Sequence, residues 1–302
     1  PAASGSALCP SPAHGECTLV AFQTADQTLS TGDPNIDQIV LATTEPGKAT
    51  EFLMVSQPDQ SIALGANARA TSPRFTGDGR AIGFLSAAFN LTLEALTPGV
   101  QTQVYLRIPG GAVSSNNRTF LLSKGAVNAP SDARVYDFAL GGTAAQPVAT
   151  FVTDATNLGA PAGRHAYVRD RAAGTTTVLD RLPGPAGALS AGFVSSTGTA
   201  VSGDASTALF LARATDFGDG DDGEFGRVRA RRLTSPAQEV ELVSRPSGRA
   251  PFPSLTGAAF DARDTISTLP STTWYVSVIG VDVGFDGCVR DAIKKTCPFS
   301  SS

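Results

Sequence analysis

Along most of the chain, hydrophobic and polar residues alternate over short runs, and turns rich in Gly and Pro separate one run from the next. An alternation with a period of two is typical of β-strands, because successive side chains point to opposite faces of a sheet. The 31 glycines and 20 prolines are scattered along the sequence, which favours many short strands joined by turns. The pattern predicts an all-β chain of antiparallel strands.

An eight-residue pattern recurs four times, and its starting positions are separated by 62, 67 and 59 residues. The four octets begin at Phe22, Phe84, Phe151 and Phe210 and end at Leu29, Leu91, Leu158 and Phe217. Each octet precedes two more β-prone runs, and the later octets follow a weaker run that ends in a turn. Gly77, Asp78 and Gly79 form the clearest of these turns and predict a tight reversal.

Three or four short strands per unit describe an antiparallel meander, which cannot bury both of its faces alone. Radial packing of such sheets buries each face against the next unit, so the repeat predicts an all-β β-propeller of four-stranded antiparallel blades. Five blades are expected, with four as the alternative. The expected repeat units are about 18–58, 59–124, 125–182 and 183–245, followed by a divergent unit at 246–285.

The two ends of the repeat region are irregular. The first unit shows no clear leading strand before Phe22, and the divergent unit loses the pattern after Ile279. A last blade that combines strands from both termini would explain both departures. Segments 1–17 and 286–302, which carry the cysteines, lie outside the expected repeats.

Two stretches resemble a known family. Residues 77–80 with the octet at Phe84, and the octet at Phe151 with residues 167–177, are similar to the TolB-like, WD-type propeller repeats of secreted bacterial proteins. The resemblance covers about residues 18–245. It implies a propeller fold and an exported protein, and it implies no particular activity.

The four cysteines, Cys9, Cys17, Cys288 and Cys297, lie near the two ends of the sequence. Disulfides are the favoured interpretation and indicate an oxidising, extracellular or periplasmic compartment. Sequence leaves open whether two local loops or two bridges between the termini form. Zinc and free thiols are the alternatives, although the spacings lack the close pairs of structural zinc sites.

A formal net charge of −4 and a pI near 5.2 predict no nucleic-acid partner. The local run of Arg227, Arg229, Arg231 and Arg232 is interpreted as a solvated strand face, with the first three side chains on one side. No run of about 18 apolar residues occurs, so no membrane span is expected.

One acidic segment carries a candidate metal site. Its carboxylates belong to Asp216, Asp219, Asp221, Asp222 and Glu224. Calcium prefers six to eight oxygen ligands from a bent loop, so calcium is the possible cofactor here. The alternative is an ordinary connecting turn, because the segment does not follow the register of an EF-hand.

Familiar catalytic motifs are missing from the sequence. His14 and His165 are the only histidines, no G-x-S-x-G elbow is present, and His165 is interpreted as a turn or strand-edge residue. The first hypothesis is therefore a non-enzymatic propeller that binds another protein or a surface polymer through its loops. The alternatives are a structural subunit of a surface assembly and a glycan or peptide hydrolase with carboxylates at the channel.

Overall fold

The computed structural model describes residues 2–4, 17–29, 33, 35–58, 65–92, 96, 101–109, 118–125, 129–184, 187–217, 226–235 and 239–244. These residues contain 17 β-strands and no helix. Accordingly, no helix in this part of the chain is long and apolar enough to cross a bilayer.

The strands form four antiparallel sheets, each built from consecutive strands. The first contains β1 (Ala2–Ser4), β2 (Thr18–Thr24), β3 (Gln38–Thr44) and β4 (Glu51–Met54). The second contains β5 (Ala70–Phe75), β6 (Ile82–Ser86), β7 (Gln103–Ile108) and β8 (Arg118–Leu121). The third contains β9 (Val135–Gly142), β10 (Pro147–Thr153), β11 (His165–Asp170) and β12 (Thr175–Val178). The fourth contains β13 (Phe193–Val194), β14 (Ala200–Val201), β15 (Thr207–Arg213), β16 (Arg227–Arg232) and β17 (Val240–Leu242).

The leading strand of the fourth sheet is interrupted, because β13 and β14 pair with opposite ends of β15. The leading strand of the first sheet is β1, which pairs antiparallel with β2. The expectation that the first unit has no leading strand is therefore wrong. The strand was missed because Ala2, Ala3 and Ser4 are small and show no alternation of hydrophobic and polar residues.

Three hydrophobic clusters lie between successive sheets. Ile39 of the first sheet and Tyr105 of the second belong to one cluster, and Leu106 of the second and Phe138 of the third belong to another. Val168 of the third sheet belongs to one cluster with residues of the fourth. Successive sheets thus pack face to face, which confirms the predicted β-propeller. The divergent unit at 246–285 lies outside the described residues, so the number of five blades stays a prediction.

The octets occupy equivalent positions on the second strands of the sheets. Phe84 stacks on Tyr105 with ring centroids 5.7 Å apart, and Phe151 stacks on Tyr167 at 5.6 Å. All four of these side chains are fully buried, as expected for the core between blades. In these blades the repeated phenylalanine lies in the blade core, whereas Phe22 of the first blade is only partly buried and packs edge-to-face against Phe52, with ring centroids 6.5 Å apart.

In the second, third and fourth sheets, a side chain on the third strand donates a hydrogen bond to a backbone carbonyl of the octet. Tyr105 Oη donates to Ala88 O at 2.5 Å, and Tyr167 Oη donates to Ala155 O at 3.3 Å. In the fourth sheet Arg229 takes the tyrosine position, and its Nη2 donates to Ala214 O at 3.0 Å. All three acceptors are the fifth residue of their octets. Arg229 therefore replaces a core tyrosine and satisfies the same carbonyl.

This placement corrects the interpretation of the arginine run as a solvated strand face. Arg229 is 0% exposed and Arg231 is 3% exposed. Burial lowers the pKa of Arg231 to about 10, so the guanidinium stays charged at neutral pH. Its Nε donates to Leu179 O at 2.8 Å, in the segment that leaves the third sheet. Alternation was predicted correctly, but the side that carries these arginines faces the preceding blade and not water.

An arginine of the second sheet makes the same kind of contact with the sheet before it. Arg107 is equivalent to Arg231, and its Nη2 donates to Gln57 Oε1 at 3.3 Å, in the segment that leaves the first sheet. Its Nη1 donates to Thr119 Oγ1 at 2.7 Å, and that hydroxyl donates to Gln57 O. Arg169 in the third sheet repeats the arrangement through Thr176, whose hydroxyl donates to Lys124 O. We call these contacts the arginine latches.

Tight turns of three blades meet at one end of the ring. Gly77 N donates to Gly142 O at 2.7 Å, and Gly142 N donates to Gly203 O at 3.0 Å. Gly77 and Gly203 follow the innermost strands β5 and β14, and Gly142 ends the innermost strand β9, so the centre of the ring is crowded there. Gly79 has a φ of 68° and Gly79 N donates to Thr76 O, which confirms the predicted reversal. The opposite end, where the innermost strands begin, is called the Phe193 face.

Candidate functional site

A stack of alternating guanidinium groups and rings lies on the Phe193 face, between the third and fourth blades. The guanidinium carbon of Arg134 lies 4.4 Å from the centroid of the Tyr136 ring. Arg164 lies 4.1 Å from the same ring and 5.3 Å from the Phe193 ring. The order of the layers is therefore Arg134, Tyr136, Arg164 and Phe193, and cation–π attraction favours each contact. We call this arrangement the arginine–aromatic stack.

Each member of the stack is held at the end of a strand. Arg134 precedes β9, Arg164 precedes β11 and Phe193 begins β13. Tyr136 is an extra residue in β9, because Val152 pairs with Asp137 whereas the next residue of β10 pairs with Val135. This β-bulge changes the direction of the tyrosine side chain, as bulges commonly do beside functional sites.

Asp154, which follows β10, holds the middle of the stack. Arg164 Nε donates to Asp154 Oδ1 at 3.0 Å, and the Tyr136 hydroxyl donates a short hydrogen bond to Asp154 Oδ2. Burial by itself would raise the pKa of Asp154, but the hydrogen bonds from Tyr136 and Arg164 outweigh burial and hold the pKa below its usual value. Asp154 is therefore ionised at neutral pH and fixes both neighbours.

The two ends of the stack remain accessible. Arg134 is exposed, and its guanidinium donates no hydrogen bond to any residue in the described part of the chain. Phe193 is 56% exposed, which is unusual for a residue of its size beside charged groups. Arg213, also exposed, is the cross-strand partner of Phe193. The stack thus presents an apolar ring and unused guanidinium donors on one rigid surface.

The equivalent position in the neighbouring blade is occupied differently. Arg69 immediately precedes β5, as Arg134 immediately precedes β9. However, Arg69 Nε forms an ion pair with Asp37 Oδ2 at 2.8 Å, and Asp37 also accepts a hydrogen bond from Gln23. Both arginines lie on the Phe193 face, but Arg69 is ion-paired with a carboxylate, whereas Arg134 donates no hydrogen bond to a described residue. This difference makes Arg69 a matched control for Arg134.

Asp216 is the one candidate calcium ligand within the described residues, and its surroundings indicate a connecting role. Its Oδ2 accepts a hydrogen bond from Ala191 N at 2.6 Å. Asn90 and Asn157, at the equivalent octet position, accept hydrogen bonds from Asn67 N and Asp132 N. The described residues contain no group of three or more potential metal ligands.

The other calcium candidates, Asp219, Asp221, Asp222 and Glu224, lie outside the described residues. The calcium site therefore stays a prediction.

The predicted cysteine bridges are only partly visible. Cys17 is buried and disulfide-bonded. Cys9, Cys288 and Cys297 lie outside the described residues. The pairing therefore stays a prediction.

His165 and Asp180 form a buried pair that resembles part of a catalytic triad, but its position argues for a structural role. His165 begins β11, and its Nδ1 lies 2.7 Å from Asp180 Oδ2. Asp180 Oδ1 also accepts a hydrogen bond from Ala166 N at 3.0 Å. Asp180 is 0% exposed and His165 is 7% exposed, which leaves little access for a substrate.

The equivalent pairs in the first two blades have the same geometry with neutral groups. Ser56 Oγ donates to Gln38 Oε1 at 2.6 Å and accepts a hydrogen bond from Ile39 N. Ser123 Oγ donates to Gln103 Oε1 at 2.6 Å and accepts from the backbone of β7. In each blade the pair ties the start of the third strand to the segment after the fourth. His165 and Asp180 therefore perform a repeated structural task with different side chains.

Hydrogen bonds lower the pKa values of three described carboxyl groups. Asp26, Asp154 and Asp204 have pKa values below the ordinary value, the first and last chiefly because of hydrogen bonds from Thr28 and Ser202, respectively. A general acid at neutral pH needs a raised pKa. Among these three groups none meets that requirement.

Sequence reasoning did not identify the arginine–aromatic stack. Its members lie far apart along the chain and share no motif. The available signals were weak, namely a tyrosine inside a predicted strand and arginines at two strand starts. Only the arrangement of blades brings Arg134 and Arg164 to the same ring.

No family model matches the sequence, and no curated protein is significantly similar to it. Solved structures that are similar include a prolyl endopeptidase, with 9% identity over 71% of this chain and 27% of that chain and a TM-score of 0.37. An α-L-arabinanase from Penicillium chrysogenum, complexed with arabinobiose, shows 10% identity, a TM-score of 0.36 and coverage of 78% and 65%. The β-propeller domain of the Trilobed protease from Pyrococcus furiosus shows 10% identity, a TM-score of 0.30 and coverage of 76% and 69%. The chain spans only 27% and 65% of the first two of these proteins.

Proposed function

We propose that the protein is a non-enzymatic β-propeller that binds another protein or a surface polymer through the Phe193 face. The supporting observation is the exposed end of the arginine–aromatic stack, where Phe193 and the free donors of Arg134 share one surface. Exposed aromatic and arginine side chains are the residue types that most often dominate binding energy at interfaces.

Rigidity supports this assignment. Asp154 anchors Arg164 and Tyr136, and the blade core below them is fully buried. A ligand that binds a fixed surface does not have to order the side chains first, so less binding energy is lost as entropy. A propeller with such a surface is suited to recognition.

Hydrolysis of a glycan or peptide is the alternative activity, and assembly into a surface structure is the alternative non-enzymatic role. The arabinanase and the prolyl endopeptidase act on such substrates by name, but TM-scores of 0.36 and 0.37 decide nothing about activity in this chain. The exposed Phe193 ring and the Arg134 guanidinium support binding as the first proposal.

We further propose that the chain is exported to an extracellular or periplasmic compartment and belongs with TolB-like, WD-type propellers. A disulfide at Cys17 supports an oxidising environment. We also propose that the segment from Asp216 to Glu224 binds calcium. Of its five carboxylates, that of Asp216 lies within the described residues.

An array of glycans and peptides tests the binding function directly. We expect the full chain to bind at least one class of ligand, and Phe193→Ala to weaken that binding. Phe52→Ala is the control, because Phe52 is also exposed, at 48%, but lies on an outer strand. Equal binding by both variants would overturn the assignment of the Phe193 face. New reducing ends or new amino termini in the bound ligand would instead establish a hydrolase.

A further inference from the structure

We infer that the Phe193 face recognises a carboxylate-bearing polysaccharide, with the acidic group on Arg134 and a sugar ring on Phe193. This inference rests on the proposed function and specifies the ligand of that same surface. It is carried by the charges, the exposure and the geometry of the arginine–aromatic stack.

The charged groups of the surface point to Arg134 as the contact for an anion. Arg134, Arg164 and Arg213 supply three positive charges around Phe193, and Asp154 neutralises one of them. Asp216, which binds Ala191 N two residues before Phe193, supplies a second negative charge. Asp132, two residues before Arg134, supplies a third, and its carboxylate accepts hydrogen bonds from Thr156 N and Thr156 Oγ1. These described charges balance one another. Within the patch Arg134 is a cation whose donors no described residue uses, so it is the group that an acidic ligand would contact.

Arg134 is prepared to bind a carboxylate. Its guanidinium carbon lies over the Tyr136 ring, 4.4 Å from the centroid, so cation–π attraction favours this position of the group. Its N–H donors are directed along the edge of the plane and are not used by any described residue. A guanidinium edge matches the two oxygens of a carboxylate, and a lysine at this position would lack that match.

Phe193 favours a sugar ring over a peptide side chain. Arg164 lies against the ring, which is nevertheless 56% exposed. An apolar peptide side chain gains most of its binding energy inside an enclosed pocket. A pyranose instead presents a flat face of C–H groups, which can pack on a single open ring while its hydroxyl groups stay in water.

The length of the stack favours a polymer segment over a single sugar. Arg134 and Phe193 are the two ends of the stack, separated by successive steps of 4.4, 4.1 and 5.3 Å. A chain of linked acidic sugars can place one residue on the phenyl ring and the carboxylate of another on Arg134. Simultaneous contacts of this kind add affinity through effective concentration.

Affinity electrophoresis of the full chain in gels that contain polygalacturonate tests the inference, with calorimetry for the dissociation constant. The matched polymers are fully methyl-esterified polygalacturonate, which lacks the charges, and polyglutamate, which lacks the sugar rings. We expect retardation by polygalacturonate alone, and we expect it to weaken as the ionic strength rises.

Variants locate the contact on the surface. Arg134→Gln should weaken binding to polygalacturonate at least about tenfold, because a charged hydrogen-bond donor is lost. Phe193→Ala should weaken it about fivefold through loss of ring packing. Arg69→Gln and Phe52→Ala should bind like the parent chain, and circular dichroism should show that all four variants stay folded.

The outcomes separate the inference from the proposed function. Equal binding to polyglutamate would overturn the sugar assignment and indicate an acidic peptide. Binding to the methyl ester, or no effect of Arg134→Gln, would overturn the role of the carboxylate. If the acidic polymers fail to bind while Phe193→Ala abolishes binding to another ligand, the inference fails and the proposed function stands.

Discussion

Gly77 and Gly203 belong to different blades, and a Cβ atom on Gly77 would lie only 2.0 Å from the carbonyl oxygen of Gly203. The obstacle is backbone and cannot rotate away. We expect Gly77→Ala to lower the free energy of unfolding by about 2 kcal/mol or more, because the turns of three blades must move apart. Urea unfolding monitored by far-UV circular dichroism measures the change.

The contact is asymmetric, which supplies a control. A Cβ atom on Gly203 would lie 3.7 Å from Gly77 Cα, an ordinary van der Waals distance. Gly203→Ala should therefore change the free energy of unfolding much less than Gly77→Ala. Equal losses in the two variants would mean that the close approach at the centre of the ring is not what makes Gly77 necessary.

Ala205 adopts the backbone conformation that Gly79 adopts in the equivalent turn of the second blade. Ala205 has a φ of 58° and Gly79 a φ of 68°. The left-handed region costs an alanine about 1–2 kcal/mol, whereas glycine adopts it freely. We expect Ala205→Gly to raise the free energy of unfolding by up to about 1 kcal/mol, after the greater entropy of glycine in the unfolded chain is subtracted. Gly79→Ala should lower it, and the same sign for both variants would contradict the explanation.

Asp216 occupies the position that Asn90 and Asn157 hold in other blades, but it makes one hydrogen bond fewer than they do. Asn157 Nδ2 donates to Pro130 O at 2.7 Å, and Asn90 Nδ2 donates to Gly65 O at 3.0 Å. Asp216 Oδ1 is buried without a hydrogen-bond partner. We expect Asp216→Asn to stabilise the protein by about 1 kcal/mol, because the amide can donate where the carboxylate cannot.

If the segment binds calcium, Asp216→Asn should destabilise the calcium-bound protein instead of stabilising it. If the segment binds calcium, the added ion should raise the Tm of the parent chain, and Asp216→Asn should reduce this rise. Differential scanning calorimetry with calcium and with a chelator separates the two roles. Asn157→Asp, which should lose stability under both conditions, is the matched control.

His165 and Asp180 should be replaceable by the pair that other blades use. Either single change, His165→Gln or Asp180→Ser, should lower the free energy of unfolding by about 2–4 kcal/mol, because it leaves a buried polar group without its partner. The double variant recreates the Gln103 and Ser123 pair and should regain most of the loss. A double-mutant cycle in urea measures the coupling, and additive losses would show that the two residues do not act as a unit.

The sequence predicted the features that depend on repetition. Phe84, Phe151 and Phe210 mark equivalent core positions because these three blades fill the same place with a large apolar side chain, whereas Phe22 of the first blade is only partly buried. Repetition also misled where one blade solves the same problem with different chemistry. Arg229 replaces a tyrosine, and nothing in its strand indicates that its partner is a carbonyl of the octet.

The candidate site was beyond sequence reasoning for a different reason. Arg134, Tyr136 and Arg164 meet because a bulge in β9 turns the tyrosine toward two strand starts. A bulge depends on the pairing of strands, which single-strand patterns do not contain. Likewise, Arg69 and Arg134 have equivalent positions in the sequence repeat, and only the structure shows that one is paired and the other is not.

Each arginine latch reaches backward along the sequence, from a third strand to the segment that leaves the preceding sheet. Because the first blade is synthesised before β7, Arg107 contacts a blade that already exists when β7 is made. The first blade has Ala42 at this position and therefore no such arginine. Growth from the amino terminus thus offers every new blade a completed neighbour, which shortens the time during which its apolar faces are exposed to aggregation. The chain is suited to fold in the order of its synthesis.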